Sequence, residues 1–303
     1  AGVPVAFASV EYIMRDVPWG WLIRYMHSTG ASAFFIVVYL HMFRAMLYGS
    51  YRKPRELLWI FGVLIYLCLM AEAFAGYLLP WGQMSFWGAQ VILNLFSAIP
   101  FIGNDLTLWI RGDYVIADAT LNRMFAFHVI AIPLALLGLV AAHILALHEV
   151  GSNNPDGIEI KKHKDPKTGI PLDGIPFHPY YTVKDIVGTV VFLAAFSIIV
   201  FFAPELGGYF LEYNNFIPAD PLVTPPHIAP VWYFTPFYSC SSCPGSTAAR
   251  RSRSATAARS TRARWRCSSS PSSSSATWAC SRRPRCSPSF RRSARSSTSF
   301  SSC

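Results

Sequence analysis

The sequence predicts an all-α integral membrane protein, a bundle of transmembrane helices. Hydrophobic residues make up 52% of its 303 residues and aromatic residues 15%. Four apolar stretches are long enough to cross a bilayer core about 30 Å thick. We expect membrane spans at residues 21–48, 57–79, 121–148 and 186–202. Trp19, Trp21 and Tyr25 lie at the start of the first span, where aromatic side chains anchor helices at the membrane interface.

Four histidines divide between the first and third spans. His27 and His41 are fourteen residues apart, which on a helix is about 21 Å along the axis and nearly the same face. His128 and His143 repeat the arrangement in the third span. One histidine on an apolar face is usually a satisfied core residue. Four at matched depth favour two pairs of axial ligands for haem iron, one near each membrane surface.

The second histidine pair has an irregular spacing. His128 and His143 are fifteen residues apart, which rotates one of them by about 100° relative to the pattern of the first span. Pro133 lies between them and can kink or locally unwind the helix, which would absorb the extra residue. Gly62 and Gly76, in the second span, would admit either a bulky planar group or a neighbouring helix.

The segments between the spans predict the topology. The basic turn at residues 51–56 and the lysine-rich loop at 149–184 are expected on the cytoplasmic side or its equivalent. His27 and His128 then lie near the outer face of the membrane, and His41 and His143 near the inner face. Between the second and third spans we expect a surface helix near residues 82–97 and a polar loop at 103–118.

The formal charge of +10 is concentrated at the carboxyl end. Residues 239–303 contain 13 arginines and no acidic residue, and the rest of the chain carries 13 basic against 16 acidic residues. High net charge therefore does not indicate a nucleic-acid partner for the bundle. This Ser/Arg-rich tail cannot form a core or a span, and we interpret it as an out-of-frame translation rather than native structure. The missing initiator Met and signal peptide predict that the chain begins inside a longer protein.

Several motifs carry a family resemblance: RYMHSTGAS, GYLLPWGQMSFWGA, HILALHEVGSNNP, and PPHIAP followed by VWYFTPFY. With these motifs, residues 12–238 resemble cytochrome b of the bacterial cytochrome bc complex. The resemblance implies a di-haem transmembrane core at residues 1–205 and a quinol-site segment at 206–238, with the tail at 239–303. The family's first helix and last three helices are not visible in the sequence.

The resemblance implies two non-covalent haem b groups. His27 and His128 would ligate the low-potential haem, and His41 and His143 the high-potential one. Arg24 and Arg44 lie three residues from ligands, which fits pairing with haem propionates, although either could instead reach toward the interface. Gly62 and Gly76 would line the haem positions. No CxxCH motif for covalent attachment is present.

The same resemblance implies two quinone sites. The inner, quinone-reducing site would use His148, Ser152, Lys184 and Asp185, with His148 and Asp185 in the proton chemistry. The outer, quinol-oxidising site would be lined by Tyr77, Gly88, Pro230, Tyr233 and Tyr238, with the last two tyrosines as catalytic candidates. The family's Pro-Glu-Trp-Tyr motif reads Pro-Val-Trp-Tyr at residues 230–233, so the outer site needs another proton acceptor.

The resemblance implies a quinol–cytochrome c reductase subunit. Quinol oxidation would be bifurcated at the outer site, electrons would cross through two haems, and quinone reduction at the inner site would complete a proton gradient. Implied partners are cytochrome c1, a Rieske iron–sulfur protein, a second copy of the chain and membrane lipid. We favour the bacterial inner membrane over the mitochondrial one. A plastoquinol-type cytochrome b, a di-haem anchor for another dehydrogenase and a non-redox helical carrier remain alternatives.

Overall fold

The structure is a computed structural model that describes residues 2–242, and no β-strand occurs in that range. Its helices are α1 (Val3–Arg15), α2 (Gly20–Leu47), α3 (Glu56–Leu78), α4 (Gln83–Phe96), α5 (Gly103–Arg111), α6 (Asp118–Ala126), α7 (Ile132–Val150), α8 (Thr182–Phe202) and α9 (Thr235–Ser242). Four helical stretches are long and apolar enough to cross a membrane: Gly20–Leu47, Glu56–Leu78, Asp118–Val150 and Phe177–Phe202. The predicted all-α membrane bundle is confirmed.

The bundle has two ends, which we name after the histidines of α2. At the His27 end α2 and α6 begin, and α3 and α8 finish. At the His41 end α2 and α7 finish, and α3 and α8 begin. The principal neighbour of α7 is α3, while α2 packs against α1 and α8. The predicted helix near residues 82–97 is α4, which pairs with α5 at the His27 end.

The polar loop predicted at residues 103–118 was wrong for its first half, because Gly103–Arg111 forms α5. Acidic and basic residues mark the opposite ends of this helix, Asp105 in the first turn and Arg111 in the last, as the helix dipole favours. Gly112 ends the helix with φ of 77°, a left-handed conformation that glycine adopts easily. The charged residues therefore favour a short amphipathic helix through its dipole.

The fourth span begins earlier than residue 186. The regular helix α8 begins at Thr182, and the turn Phe177–Tyr181 precedes it with a non-helical backbone at His178. Asp185 lies in the first turn of α8, where a negative side chain suits the exposed N–H groups. The charged pair that suggested a loop is therefore the amino-terminal part of a helix.

The third span contains a change of helix type. α6 continues into a π turn at Phe127–Ala131, which leads into α7 without a break. Pro133 follows within the first two positions of α7. Proline has no N–H to donate to the carbonyl four residues earlier, so the hydrogen-bond ladder is already interrupted at this point. A π turn holds one more residue than the α-helical turn it replaces.

Most buried hydrophobic side chains form two clusters, and most of the surface of the spans is not buried. One cluster joins α1, α3, α4 and α6 around Leu78, Phe86 and Leu93. The other joins α2 and α3 to the segment after α8 through Phe35, Tyr66 and residues 231–233. Only 6–11% of each span's most apolar window is buried. Apolar faces of this extent need a lipid environment, so the chain is an integral membrane protein.

The predicted out-of-frame tail begins at residue 239. Apart from its first four residues, which finish α9, this segment lies outside the described residues.

Candidate functional site

The four histidines meet in two pairs between α2 and the third span. The ring centres of His27 and His128 are 5.9 Å apart, and those of His41 and His143 are 6.4 Å apart. A metal bond of about 2 Å to each imidazole nitrogen, plus about 1 Å from nitrogen to ring centre, requires centres about 6 Å apart. Both pairs therefore have the separation that two axial ligands of one metal need.

The donor set fits haem iron. Among residues 2–242, no group of three or more His, Cys, Asp or Glu side chains is placed to hold a metal. Two histidines from opposite sides suit an iron whose remaining four ligands come from a macrocycle.

The extra residue between His128 and His143 is absorbed by the π turn. His128 is the second residue of the turn Phe127–Ala131, and His143 lies in regular α7, twelve residues beyond the end of the turn. Without the π turn, His143 would point about 100° away from the direction that matches His41. The sequence prediction placed the adjustment at Pro133, and the structure places it immediately before that proline.

Two glycines of α3 lie against the histidine rings. A Cβ atom at Gly76 would lie 2.7 Å from Nδ1 of His128, and one at Gly62 would lie 3.3 Å from Cε1 of His143. Each glycine therefore lets an imidazole pack directly on the backbone of α3. The sequence allowed two explanations for these glycines, room for a bulky planar group or close approach of a neighbouring helix. The described contacts favour the second, because histidines of the third span pack against them.

The two pairs differ in how their third-span histidine is held. Nδ1 of His128 lies 3.0 Å from Oε1 of Glu72 and 3.0 Å from the backbone oxygen of the same residue. Nδ1 of His143 makes no hydrogen bond of normal geometry within the described residues, although the backbone of Leu58 lies close. The sequence analysis did not single out Glu72, whose only signal was a lone acidic residue inside a span.

The two arginines near the histidines have different surroundings. Nε of Arg24 is buried and has no hydrogen-bond partner among the described residues. A buried unpaired guanidinium nitrogen is costly, so the site fits an anionic group such as a propionate. Arg44 donates to the backbone oxygen of Asn153 at 3.1 Å and lies over the ring of Tyr48. Arg24 is therefore the better propionate candidate of the two.

A largely apolar cavity of about 760 Å³ lies near the His27 end between α3, α4 and the segment 228–238. Its lining includes four of the five residues predicted for the outer site: Tyr77, Gly88, Pro230 and Tyr238. Val231 also lines it, at the position where the family motif carries glutamate. A cavity of this size and apolar character suits a lipid-soluble ring compound.

The fifth predicted residue, Tyr233, is not among the cavity-lining residues. Its side chain is 4% exposed and stacks on Phe35 with ring centres 4.3 Å apart. Its backbone oxygen accepts a hydrogen bond of 2.9 Å from Tyr39. Burial, together with the negative charge of Glu212, raises the pKa of Tyr233. In this arrangement Tyr233 fixes the 230–233 segment against α2.

The cavity at the His27 end has a carboxylate next to Tyr77, one of its lining residues. The hydroxyl of Tyr77 donates to Oε2 of Glu212 at 2.5 Å. Burial raises the pKa of Glu212, while the tyrosine hydrogen bond opposes that shift. The sequence analysis missed this contact, because 135 residues separate the partners. The acidic residue in the aromatic segment after α8 was its only signal.

The predicted inner-site residues lie at the His41 end but are not joined. Lys184 donates to the hydroxyl of Tyr180 at 2.6 Å, and the backbone oxygen of Asp185 accepts from Thr189. In the described part of the chain, no hydrogen bond or ion pair links either residue to His148 or Ser152. The four residues share one end of the bundle without forming a contact network.

Arg55 is a residue at this end that the sequence analysis missed. Its side chain is 5% exposed and bonds the backbone oxygens of Gly151 and Ser152 and the carboxylate of Glu159. These bonds from a buried arginine fix the loop that follows α7.

Comparison with known proteins gives consistent matches. A family model described as Cytochrome b/b6/petB matches residues 1–151, and one described as Cytochrome b(C-terminal)/b6/petD matches residues 218–243. Cytochrome b of Allochromatium vinosum is 70% identical over 240 residues, covering 78% of this chain and 57% of that protein. Cytochrome b of Rhodospirillum rubrum is 56% identical over 239 residues, covering 79% of this chain and 56% of that protein.

A solved structure shows the same fold. A chain of a hyperthermophilic respiratory Complex III is 43% identical, with a TM-score of 0.70, covering 78% of this chain and 60% of that one. This chain therefore spans somewhat more than half the length of the relatives it matches. Two family models, two relatives and a solved fold agree on one family of membrane proteins. The chain belongs to the cytochrome b family, whose members bind haem b.

Proposed function

We propose that this chain is the haem-b subunit of a quinol–cytochrome c oxidoreductase. One observation carries the proposal: an apolar cavity of about 760 Å³ lies beside a helix bundle that also holds two facing histidine pairs. A protein that only relays electrons needs the histidines but not this cavity. A subunit that oxidises quinol needs both.

His27 and His128 would hold one haem b, and His41 and His143 the other. When bound, these groups supply two one-electron carriers in series across the membrane. Gly62 and Gly76 let His143 and His128 reach the required positions. Arg24 would neutralise a propionate with its unpaired guanidinium, and Arg44 would serve the same role only after releasing Asn153.

The outer cavity would bind quinol between α3, α4 and the segment 228–238. Gly88 and Pro230 would shape the wall, and Tyr238 would offer a hydroxyl to the ring oxygen. Val231 cannot accept a proton. Tyr77 lines the cavity and already donates to Glu212, so this pair is the proposed proton exit. Tyr233 would act through the position of the 230–233 segment.

The inner site would reduce quinone at the His41 end. His148 and Asp185 would supply protons, and Lys184 and Ser152 would orient the quinone oxygens. Among the described residues no hydrogen bond or ion pair joins His148 or Ser152 to Lys184 or Asp185, so a bound quinone would bridge the two pairs. Two quinols oxidised outside would each send one electron inward, and together these electrons would reduce one quinone. Protons would leave on the outer side and enter on the inner side.

The assembly would resemble that of the solved relative, whose title names a respiratory complex. The proposed partners are cytochrome c1, a Rieske iron–sulfur protein that takes the other electron of each quinol, a second copy of this chain and membrane lipid. The bacterial matches support the bacterial inner membrane as the location. The mitochondrial inner membrane is the alternative.

A plastoquinol-type cytochrome b is the second candidate. The fifteen-residue spacing between His128 and His143 favours it, since that group shares this spacing. Against it, a single chain here continues from α7 through α8 to the 228–238 segment, whereas plastoquinol-type chains are normally split after the third span.

A kinetic experiment separates the proposed enzyme from an electron-relaying anchor. Membranes containing the protein are supplied with quinol, and the inner quinone site is blocked with an inhibitor. Adding an oxidant for the iron–sulfur partner should then increase the reduced b-type absorption. When the iron–sulfur protein takes the first electron of a quinol, the second electron must go to the b-type haems. An anchor would show oxidation or no change under these conditions, and that result would contradict the proposal.

A further inference from the structure

Glu72 is a partly buried acidic residue in α3, 19% exposed, that faces the histidine pair at the His27 end. It lies one helical turn before Gly76, the residue that lets His128 pack against α3. Its Oε1 atom and its backbone oxygen both lie 3.0 Å from Nδ1 of His128. The carboxylate oxygen and the backbone oxygen can therefore both accept a hydrogen bond from Nδ1–H of His128. Nε2, the other ring nitrogen, remains available to bind a metal.

The second carboxylate oxygen of Glu72 is also buried. Oε2 has no hydrogen-bond partner within the part of the chain that the structure describes. A buried carboxylate oxygen without a partner is costly unless a positive centre lies nearby. Ferric haem, whose net charge is one unit more positive than that of ferrous haem, would be such a centre between His27 and His128.

The pair at the His41 end is an internal comparison. Nδ1 of His143 has no carboxylate partner in the described chain. Gly62 packs against the ring of His143 in the same way that Gly76 packs against the ring of His128. The two haem positions therefore share their glycine and histidine arrangement. They differ in the acidic residue one turn away.

We propose that Glu72 is a positioning residue that fixes the Nδ1–H tautomer of His128 and lowers the reduction potential of the haem at the His27 end relative to the other. This inference rests on the proposed haem ligation. The carboxylate would make Nε2 of His128 a stronger electron donor, as such partners do for metal-bound histidines. A stronger donor and a nearby negative charge both favour the ferric state, so the potential falls.

The test uses Glu72→Gln in the full chain within its complex, followed by a redox titration of both haems. The amide keeps the shape and removes the charge. At a fixed potential the ferrous-to-ferric ratio of the haem at the His27 end should rise about tenfold, which for one electron is about 59 mV. The haem at the His41 end should keep its potential. Glu72→Asp, which restores the carboxylate, should recover part of the shift.

Glu56→Gln is the matched control. It makes the same chemical change in the same helix at an exposed position in the first turn, and it should leave both potentials unchanged. An unchanged potential at the His27 end in Glu72→Gln would overturn the inference, and so would an equal shift of both haems.

A spectroscopic measurement on the unmodified protein covers the case in which Glu72→Gln fails to load haem. In near-infrared magnetic circular dichroism, a more strongly donating imidazole moves the ferric charge-transfer band to higher energy. The haem with the lower potential should therefore show the higher-energy band, and equal bands would overturn the inference. Two haems with equal bands leave the proposed function standing, whereas a protein with no b-type haem contradicts the proposed function itself.

Discussion

At the scale of single residues, the proposed quinol oxidation requires a group at the outer cavity that can accept protons. Tyr77 lies in the wall and donates to Glu212, so a proton can pass from the cavity through the tyrosine hydroxyl to the carboxylate. Burial raises the pKa of Glu212 above its ordinary value, which increases its affinity for a proton. The pair thus supplies the function that Val231 cannot.

Glu212→Gln should slow quinol oxidation by about tenfold or more, since general-base groups contribute about 10²- to 10⁴-fold and water can replace part of this. A base works when deprotonated, so the wild-type rate should rise as pH increases through the raised pKa of Glu212. The variant should lose this rise. Steady-state rates across pH measure both effects.

The double variant Glu212→Gln/Val231→Glu is the matched test of the same idea. It returns a carboxylate to the cavity wall at the position where the family motif has one. Part of the rate should return. A Glu212→Gln protein with a wild-type rate and pH profile would remove Glu212 from the proton path.

Gly76→Ala should abolish or severely weaken haem binding at the His27 end. The new Cβ would lie 2.7 Å from Nδ1 of His128, and the contact involves helix backbone and a ring, neither of which can move far. Gly62→Ala should have a milder effect at the other end, because its Cβ would lie 3.3 Å from Cε1 of His143. Haem content from the pyridine haemochrome spectrum measures the loss.

Gly188→Ala is the control for this pair, since α8 offers open space at that position. It should retain full haem content. Full haem content in Gly76→Ala as well would show that the glycine is not needed for ligand approach.

The sequence predicted individual site residues best where residues of the same type recur at a helical spacing. His27 and His41 could be placed on one face of a helix from their spacing alone, and both ring pairs are present. Glu72 and Glu212 could not be paired with His128 and Tyr77, because 56 and 135 residues separate the partners. Such contacts depend on how helices pack, which a local pattern does not encode.

At the scale of secondary-structure elements, the π turn Phe127–Ala131 determines whether both histidines of the third span can face the histidines of α2. It absorbs the fifteenth residue between His128 and His143 and returns α7 to the register of α2. The sequence indicated that an adjustment was needed and gave Pro133 as its cause. The kind of turn depends on the packing of α7 against α3, which sequence spacing does not contain.

Deleting Ile130, an exposed residue of the π turn, should leave both haems bound. The turn would become α-helical and the histidine spacing would equal that of α2. Inserting one alanine after Ile130 should instead remove the haem at the His41 end, because His143 would rotate by about 100°. Haem content and redox titration distinguish the two variants. Loss of haem in the deletion together with retention in the insertion would contradict this account of the turn.

The four spans were predicted correctly, whereas α5 and the start of α8 were missed, and each outcome has a physical reason. The four spans follow from their apolar length, which the bilayer dictates. α5 was taken for a loop because its charged residues lie in its first and last turns, where they stabilise a short helix. The start of α8 was missed in the same way, with Asp185 in its first turn.

At the scale of the whole molecule, the bundle places one histidine pair at each end of α2 and an apolar cavity near one of them. The proposed function, electron transfer between two membrane surfaces and exchange with a lipid-soluble substrate, requires both features. Positive segments at the His41 end support its placement on the cytoplasmic side. The direction of proton movement in the proposed function follows from that placement.

The central claim is that the chain holds two haem b groups of unequal potential, one at each end of α2. A redox titration of the b-type absorption in purified membranes tests it most directly. The account predicts two one-electron steps of equal amplitude at different potentials. A single step, or a protein without b-type absorption, would contradict it.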